Sequence, residues 1–187
     1  TTTVRVSRFG AYFFLLGLAF LLIEMAFIQK FIRFLSHPLY SVAVVLSSFL
    51  VFAGLGSAAS TSIGERLVRQ PLGLVVAVIT ALALAYLGLL PFVFDRFMGS
   101  PDAVRIMLSV VAIAPLAFCM GMPFPLGLSR VSEVAPDFIP WAWALNGFAS
   151  VLSAVLATIL AIELGFSAVV IAAVACYLCA ALLLRPS

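Results

Sequence analysis

The chain has 187 residues, of which 65% are hydrophobic and only 9% charged, with a mean hydropathy of +1.30 and a formal net charge of +3. Soluble domains carry about a quarter charged residues, so a water-soluble fold is excluded: there is more apolar surface here than a soluble core could hide. So small and scattered a charge excludes a nucleic-acid-binding role, which needs a concentrated basic patch. Basic residues at the ends of apolar runs anchor instead to lipid headgroups.

An α-helix rises about 1.5 Å per residue, so roughly 20 apolar residues cross a hydrocarbon core of about 30 Å. Six such windows follow one another: Gly10 to Gln29, Tyr40 to Ile63, Leu72 to Phe94, Val104 to Met122, Trp141 to Ile162 and Phe166 to Leu184. A closed β-barrel would show segments of about ten residues alternating apolar and polar, and none alternates that way. The predicted fold class is therefore all-α: a polytopic integral membrane protein whose six transmembrane helices form one bundle, joined by short loops with no long polar linker between them.

The opening "TTTVRVSRFG" has no initiator Met, no short apolar core and no small-residue cleavage site, so it is not read as a signal peptide, and the chain is expected to be a fragment of a longer one. With six spans both termini share one side, together with Arg5, Arg8, Arg66, Arg69, Arg130 and Arg185, against Lys30, Arg33, Arg96 and Arg105 opposite. The excess of basic residues assigns the termini to the cytoplasm.

The first span, "LGLAFLLIEMAFIQKFIRFLSHP", sets Glu24 among apolar side chains. An ionised carboxylate in mid-bilayer costs on the order of 3 kcal/mol on insertion scales, so Glu24 is expected to face other helices, to be protonated or to meet a donor. Two roles stay open: a coupling acid that carries protons or a cation through a transporter, or an interhelical hydrogen bond that fixes packing. Beyond it Lys30, Arg33 and His37 recur at steps of three and four, with Phe31, Phe34 and Leu35 on the opposite face, the pattern of an interfacial anchor. His37 is the only histidine; a zinc site generally needs three or four protein ligands, so no metal is expected.

In the second span "GLGSAASTS" places Gly54 and Ala58, then Gly56 and Ser60, four apart, a small-residue surface that lets a neighbouring helix approach. Pro91 in the third span, Pro115 in the fourth, and Pro123 and Pro125 in "MGMPFPLGL" each remove a backbone donor and predict a kink or an unwound stretch. Transporters use such breaks to hold substrates, but helix termination at the interface, with Gly127, Ser129 and Arg130 following, is the commoner cause. In the fifth span, "WAWALNGFASVLSAVLATILA", Trp141 and Trp143 form an interfacial belt. Asn146, Ala149, Ser153, Ala157 and Ala161 follow in a narrow stripe that suits helix packing. The pair Cys176 and Cys179 in "ACYLC" has redox spacing, yet no base or cation stands nearby to activate a thiol, and it is read as packing. No catalytic constellation, cofactor site or metal cluster can be assembled from these residues.

Three segments, "FFLLGLAFLLIEMAFIQKFIRFLSHPLYSVAVVLSSFLVFAGLGS", "MGMPFPLGL" and "IPWAWALNGFASVLSAVLATILAIELGF", together resemble the membrane-embedded C-terminal region of bacterial spermidine synthase-like proteins. In that family transmembrane helices are fused to a Rossmann domain of the spermidine synthase or methyltransferase type. The resemblance implies a bacterial inner-membrane location and a soluble partner domain that binds an S-adenosylmethionine derivative and carries any chemistry. It implies no catalytic residue in this chain. A fainter likeness joins "GLGSAASTSIGERLVRQ" to the turn between the second and third helices of half a major facilitator transporter, departing from that pattern at Ser60, where an acid is expected, and at Gly64, displaced by one position.

The first expectation is thus a non-catalytic membrane domain of a spermidine synthase-like protein, acting by anchoring or helix-to-helix association. A transport module using Glu24 and an accessory subunit of a larger membrane complex are the alternatives. The expected partners are lipid, other transmembrane helices and a fused soluble domain.

Overall fold

A computed structural model describes residues 2–66 and 71–184; Arg69 and Arg185, counted in the charge balance, lie outside them. Seven α-helices follow in order among the described residues: α1 (Thr2–Leu35), α2 (Pro38–Arg66), α3 (Pro71–Phe97), α4 (Asp102–Met120), α5 (Pro123–Val134), α6 (Ile139–Leu164) and α7 (Phe166–Leu183), with a 3-10 turn at Pro136–Phe138. No strand occurs among them. Six stretches are long and apolar enough to cross a bilayer, α4 and α5 together making the fourth. The protein is an all-α polytopic membrane bundle.

Several helices outrun the predicted windows, because the apolar core of a span sets only its middle. Helix α1 continues to Leu35, carrying Lys30 and Arg33 on helical backbone. The proline cluster does not terminate the fourth span. The helix breaks at Gly121–Met122 and resumes at Pro123, since a proline at the first helical position needs no donor and has its φ already set for a helix. Pro91 and Pro115 lie inside α3 and α4, which run on past them. Beside the Pro115 defect the Tyr86 hydroxyl of α3 donates to the Ala112 carbonyl at 2.5 Å.

Helix α1 stands at the centre. It packs most extensively against α6 and α7, then α2, and also touches α4 and α5, while α2 packs on α4 and α3 on α7 and α4. Rings tie together the half of this core that surrounds the C-terminal part of α1. Phe27 meets Phe31 of its own helix, Phe49 of α2, Tyr86 of α3 and Phe166 of α7 at centroid distances of 5.6–6.0 Å, and Phe34 stacks on Phe94 at 4.3 Å. Lipid tails are as apolar as leucine, so such van der Waals contacts, not escape from water, hold these helices together.

Arginines cap two of the helix ends. The Arg105 guanidinium donates to the Phe34 carbonyl at 2.8 Å and to the Ser36 hydroxyl at 3.0 Å, and pairs with Asp102, so the start of α4 satisfies the end of α1. Cationic groups suit that place, where a helix presents unbonded carbonyls. Arg130 of α5 caps α7 in the same way through the Leu184 carbonyl at 2.5 Å. A single residue, Gly165, joins α6 to α7; its φ of 83° is a conformation that a side chain disfavours.

Candidate functional site

The most extensive helix contact is between α1 and α6, which run parallel. The Asn146 amide donates to the Phe13 carbonyl at 3.1 Å and the Ser153 hydroxyl to the Leu18 carbonyl at 2.7 Å. Ala142, Ala149, Ser153 and Ala157 are the buried positions of α6, and Gly17 of α1 leaves no room for a Cβ against the Asn146 carbonyl and Ala149. A step of three or four keeps these residues on one face, and their small size lets the backbones meet.

The second small-residue surface divides. Gly56 sits against the Phe118 carbonyl of α4, and Gly121 against the Ala53 carbonyl of α2, so a side chain on either would collide with backbone. Ser60 is buried and donates to the Ser57 carbonyl at 2.6 Å. Gly54 and Ala58 do not join this seam: both are exposed, and nothing lies within 4 Å of where a Gly54 Cβ would be. Residues two apart on a helix point to nearly opposite sides, so the 54/58 and 56/60 pairs cannot serve one neighbour.

Glu24 is buried, 4% exposed, and its Oε1 has no hydrogen-bond partner among the described residues. It lies one turn from Phe20 and one from Phe27, whose rings both meet Phe49 of α2, at 6.1 and 5.6 Å. Helical spacing therefore places the carboxyl on the α2-facing side of α1, between two aromatic contacts. A packing hydrogen bond, the structural role considered for it, is not made by Oε1.

The interfacial residues fall at the surface. Arg33 and His37 are exposed, Lys30 lies over the Phe166 ring at 5.3 Å, and His37 meets the Tyr40 ring at 5.6 Å. Trp141 and Trp143 are exposed, and Trp143 packs on Phe124 at 4.5 Å. Among the described residues no three His, Cys, Asp or Glu side chains gather as metal ligands would, and Cys119, Cys176 and Cys179 are free thiols.

Beside the α1–α6 seam lies a cavity of about 390 Å³. Its walls come from α1 (Leu16, Phe20), α2 (Leu50, Gly54, Ser57), the α4–α5 break (Gly121, Pro123), α6 (Asn146, Ser150) and α7 (Tyr177). Glu24 is not part of its lining. Non-helical backbone at membrane depth is tolerated where protein or a cavity covers it, and the break at Gly121–Met122 meets that condition on both counts.

Sequence reading missed the part that four polar side chains play in bracing the bundle: Tyr12, Tyr86, Arg105 and Arg130. The Tyr12 hydroxyl, fully buried, donates to the Pro123 carbonyl at 2.5 Å, and its ring occupies the space that Gly127 leaves. The available signal was the residue type itself, since a buried tyrosine usually finds a partner for its hydroxyl. No family model, curated protein or solved structure matches the chain.

Proposed function

We propose that this chain is the non-catalytic membrane domain of a spermidine synthase-like protein, seated in the bacterial cytoplasmic membrane with its termini in the cytoplasm, and that it holds an attached soluble domain or neighbouring membrane helices at the bilayer. One observation carries the reading. Six polar side chains within the bundle, Tyr12, Tyr86, Arg105, Arg130, Asn146 and Ser153, are tied to backbone carbonyls of neighbouring helices. Side chains so engaged brace a scaffold; they do not converge on a reacting group. The outward faces of α2 and α6 carry Leu50, Val51, Leu55, Val151, Val155 and Ile159, all exposed, which suits lipid or the helices of a larger membrane complex.

A second reading, a transport module with Glu24 as its coupling acid, is favoured by one fact: the buried Oε1 of Glu24 lacks a partner, and intramembrane acids mark ion pathways. Reconstitution in liposomes separates the two. With a pH-sensitive dye inside, the scaffold gives no proton flux above empty vesicles, for the chain and for Glu24→Gln alike. Flux that Glu24→Gln abolishes in a folded protein replaces the scaffold by the transporter. The reading frame upstream of Thr1 supplies an independent test: a Rossmann domain supports the first proposal, six further spans the second.

A further inference from the structure

The cavity beside the α1–α6 seam has the attributes of a ligand site. Its volume of about 390 Å³ lies within the roughly 300–1,000 Å³ of small-molecule pockets, which are mostly apolar with a few placed polar groups. None of its lining residues is charged: the walls are Leu16, Phe20, Leu50, Met120 and Phe124 and their neighbours.

Of the polar groups in its lining, the Ser150 hydroxyl donates to the Asn146 carbonyl at 2.9 Å; the others keep hydrogen-bonding capacity for a ligand. Tyr177 of α7 is 1% exposed, lines the cavity, and its hydroxyl makes no hydrogen bond among the described residues. Ser57 lines it as well, and its hydroxyl makes none either. Asn146 uses its amide nitrogen on Phe13, and its Oδ1 remains an acceptor. A buried tyrosine hydroxyl without a partner is costly, and a bound group that accepts from Tyr177 and donates to Asn146 removes that cost.

Access is from the side. Helices α2 and α6 each pack on α1 but share no substantial contact with each other, and at the α2 rim Leu50 and Gly54 are exposed. The lining residues of α1 fall in the middle of its span, so the cavity faces hydrocarbon and not water. A ligand must arrive dissolved in the bilayer.

We infer that this cavity binds a neutral, lipid-soluble molecule bearing a hydroxyl group, of the long-chain alcohol class, with its chain between α2 and α6 and its hydroxyl at Tyr177 and Asn146. The inference is independent of any attached soluble domain. The absence of charge in the walls disfavours a phospholipid headgroup, and a second copy of the chain is the other occupant the test must address.

The test uses the chain in lipid nanodiscs with three photoactivatable diazirine probes of equal chain length: an alcohol, an alkane and a phospholipid. The alcohol is expected to label peptides of α2, α6 and the α4–α5 break more than the alkane by about fivefold, the worth of one net hydrogen bond. Tyr177→Phe lowers alcohol labelling to the alkane level and leaves the alkane unchanged. Gly54→Leu, whose side chain enters open space, abolishes labelling of the cavity by either probe, and Gly88→Leu on α3, also facing open space, leaves it intact. Equal labelling by alcohol and alkane, equal labelling by the phospholipid, insensitivity to Gly54→Leu, or a crosslinked dimer through these peptides would each overturn the inference.

Discussion

Helices α1 and α6 read almost alike as strings of apolar residues, yet α1 is enclosed by α2, α6 and α7 while α6 buries little more than Ala142, Ala149, Ser153 and Ala157. In water their common hydropathy would drive both inward. In a bilayer a leucine gains nothing by leaving lipid for protein, so hydropathy locates a span without saying whether it is central or peripheral. What separates the two is the distribution of small and polar groups. On α1 these are Gly10, Gly17 and Glu24 amid a dense set of aromatic rings; on α6 they form one thin line.

If that distinction is correct, the largest effect belongs to the contact face. Gly17→Leu sets a side chain against α6 backbone, and the expected loss is about 3 kcal/mol, at the upper end for overpacking, read as a drop in Tm by thermal unfolding in detergent. Ser153→Ala removes the hydroxyl bond to Leu18 and is expected to cost about 0.6 kcal/mol, the average for such bonds between membrane helices; equilibrium unfolding in mixed micelles measures it. Val155→Leu, on the exposed face of α6, should change stability by less than about 0.5 kcal/mol in the same assay. A larger penalty at Val155 than at Ser153 would mean that another chain, and not lipid, covers α6.

The spans were legible because about 20 apolar residues have one use in a long chain, and the α6 stripe was legible because its spacing repeats at three and four. The exchange at α2 was not. Two small-residue pairs, Gly54/Ala58 and Gly56/Ser60, carry the same local pattern, and only the position of α4 selects the second. The resumption of the helix at Pro123 was masked because proline has the same appearance in sequence whether it ends a helix or starts one. Arg105 and Arg130 enter the sequence reading only as charges in the balance between the two membrane sides; their service to the ends of α1 and α7 depends on residues 71 and 54 positions away, beyond the reach of any local window. Glu24 was conspicuous from composition alone, whereas its bracketing by two ring contacts required the packing of α2.

The central place of α1 has a consequence for biogenesis. Of the described helices α1 is made first, but the hydroxyl that meets its Leu18 carbonyl lies 135 residues further on, at Ser153. Until α6 is made, α1 must wait with its glycine notch unfilled. Insertion is thus a problem of holding α1 open for α6, and the insertion machinery must shelter α1 through the intervening synthesis.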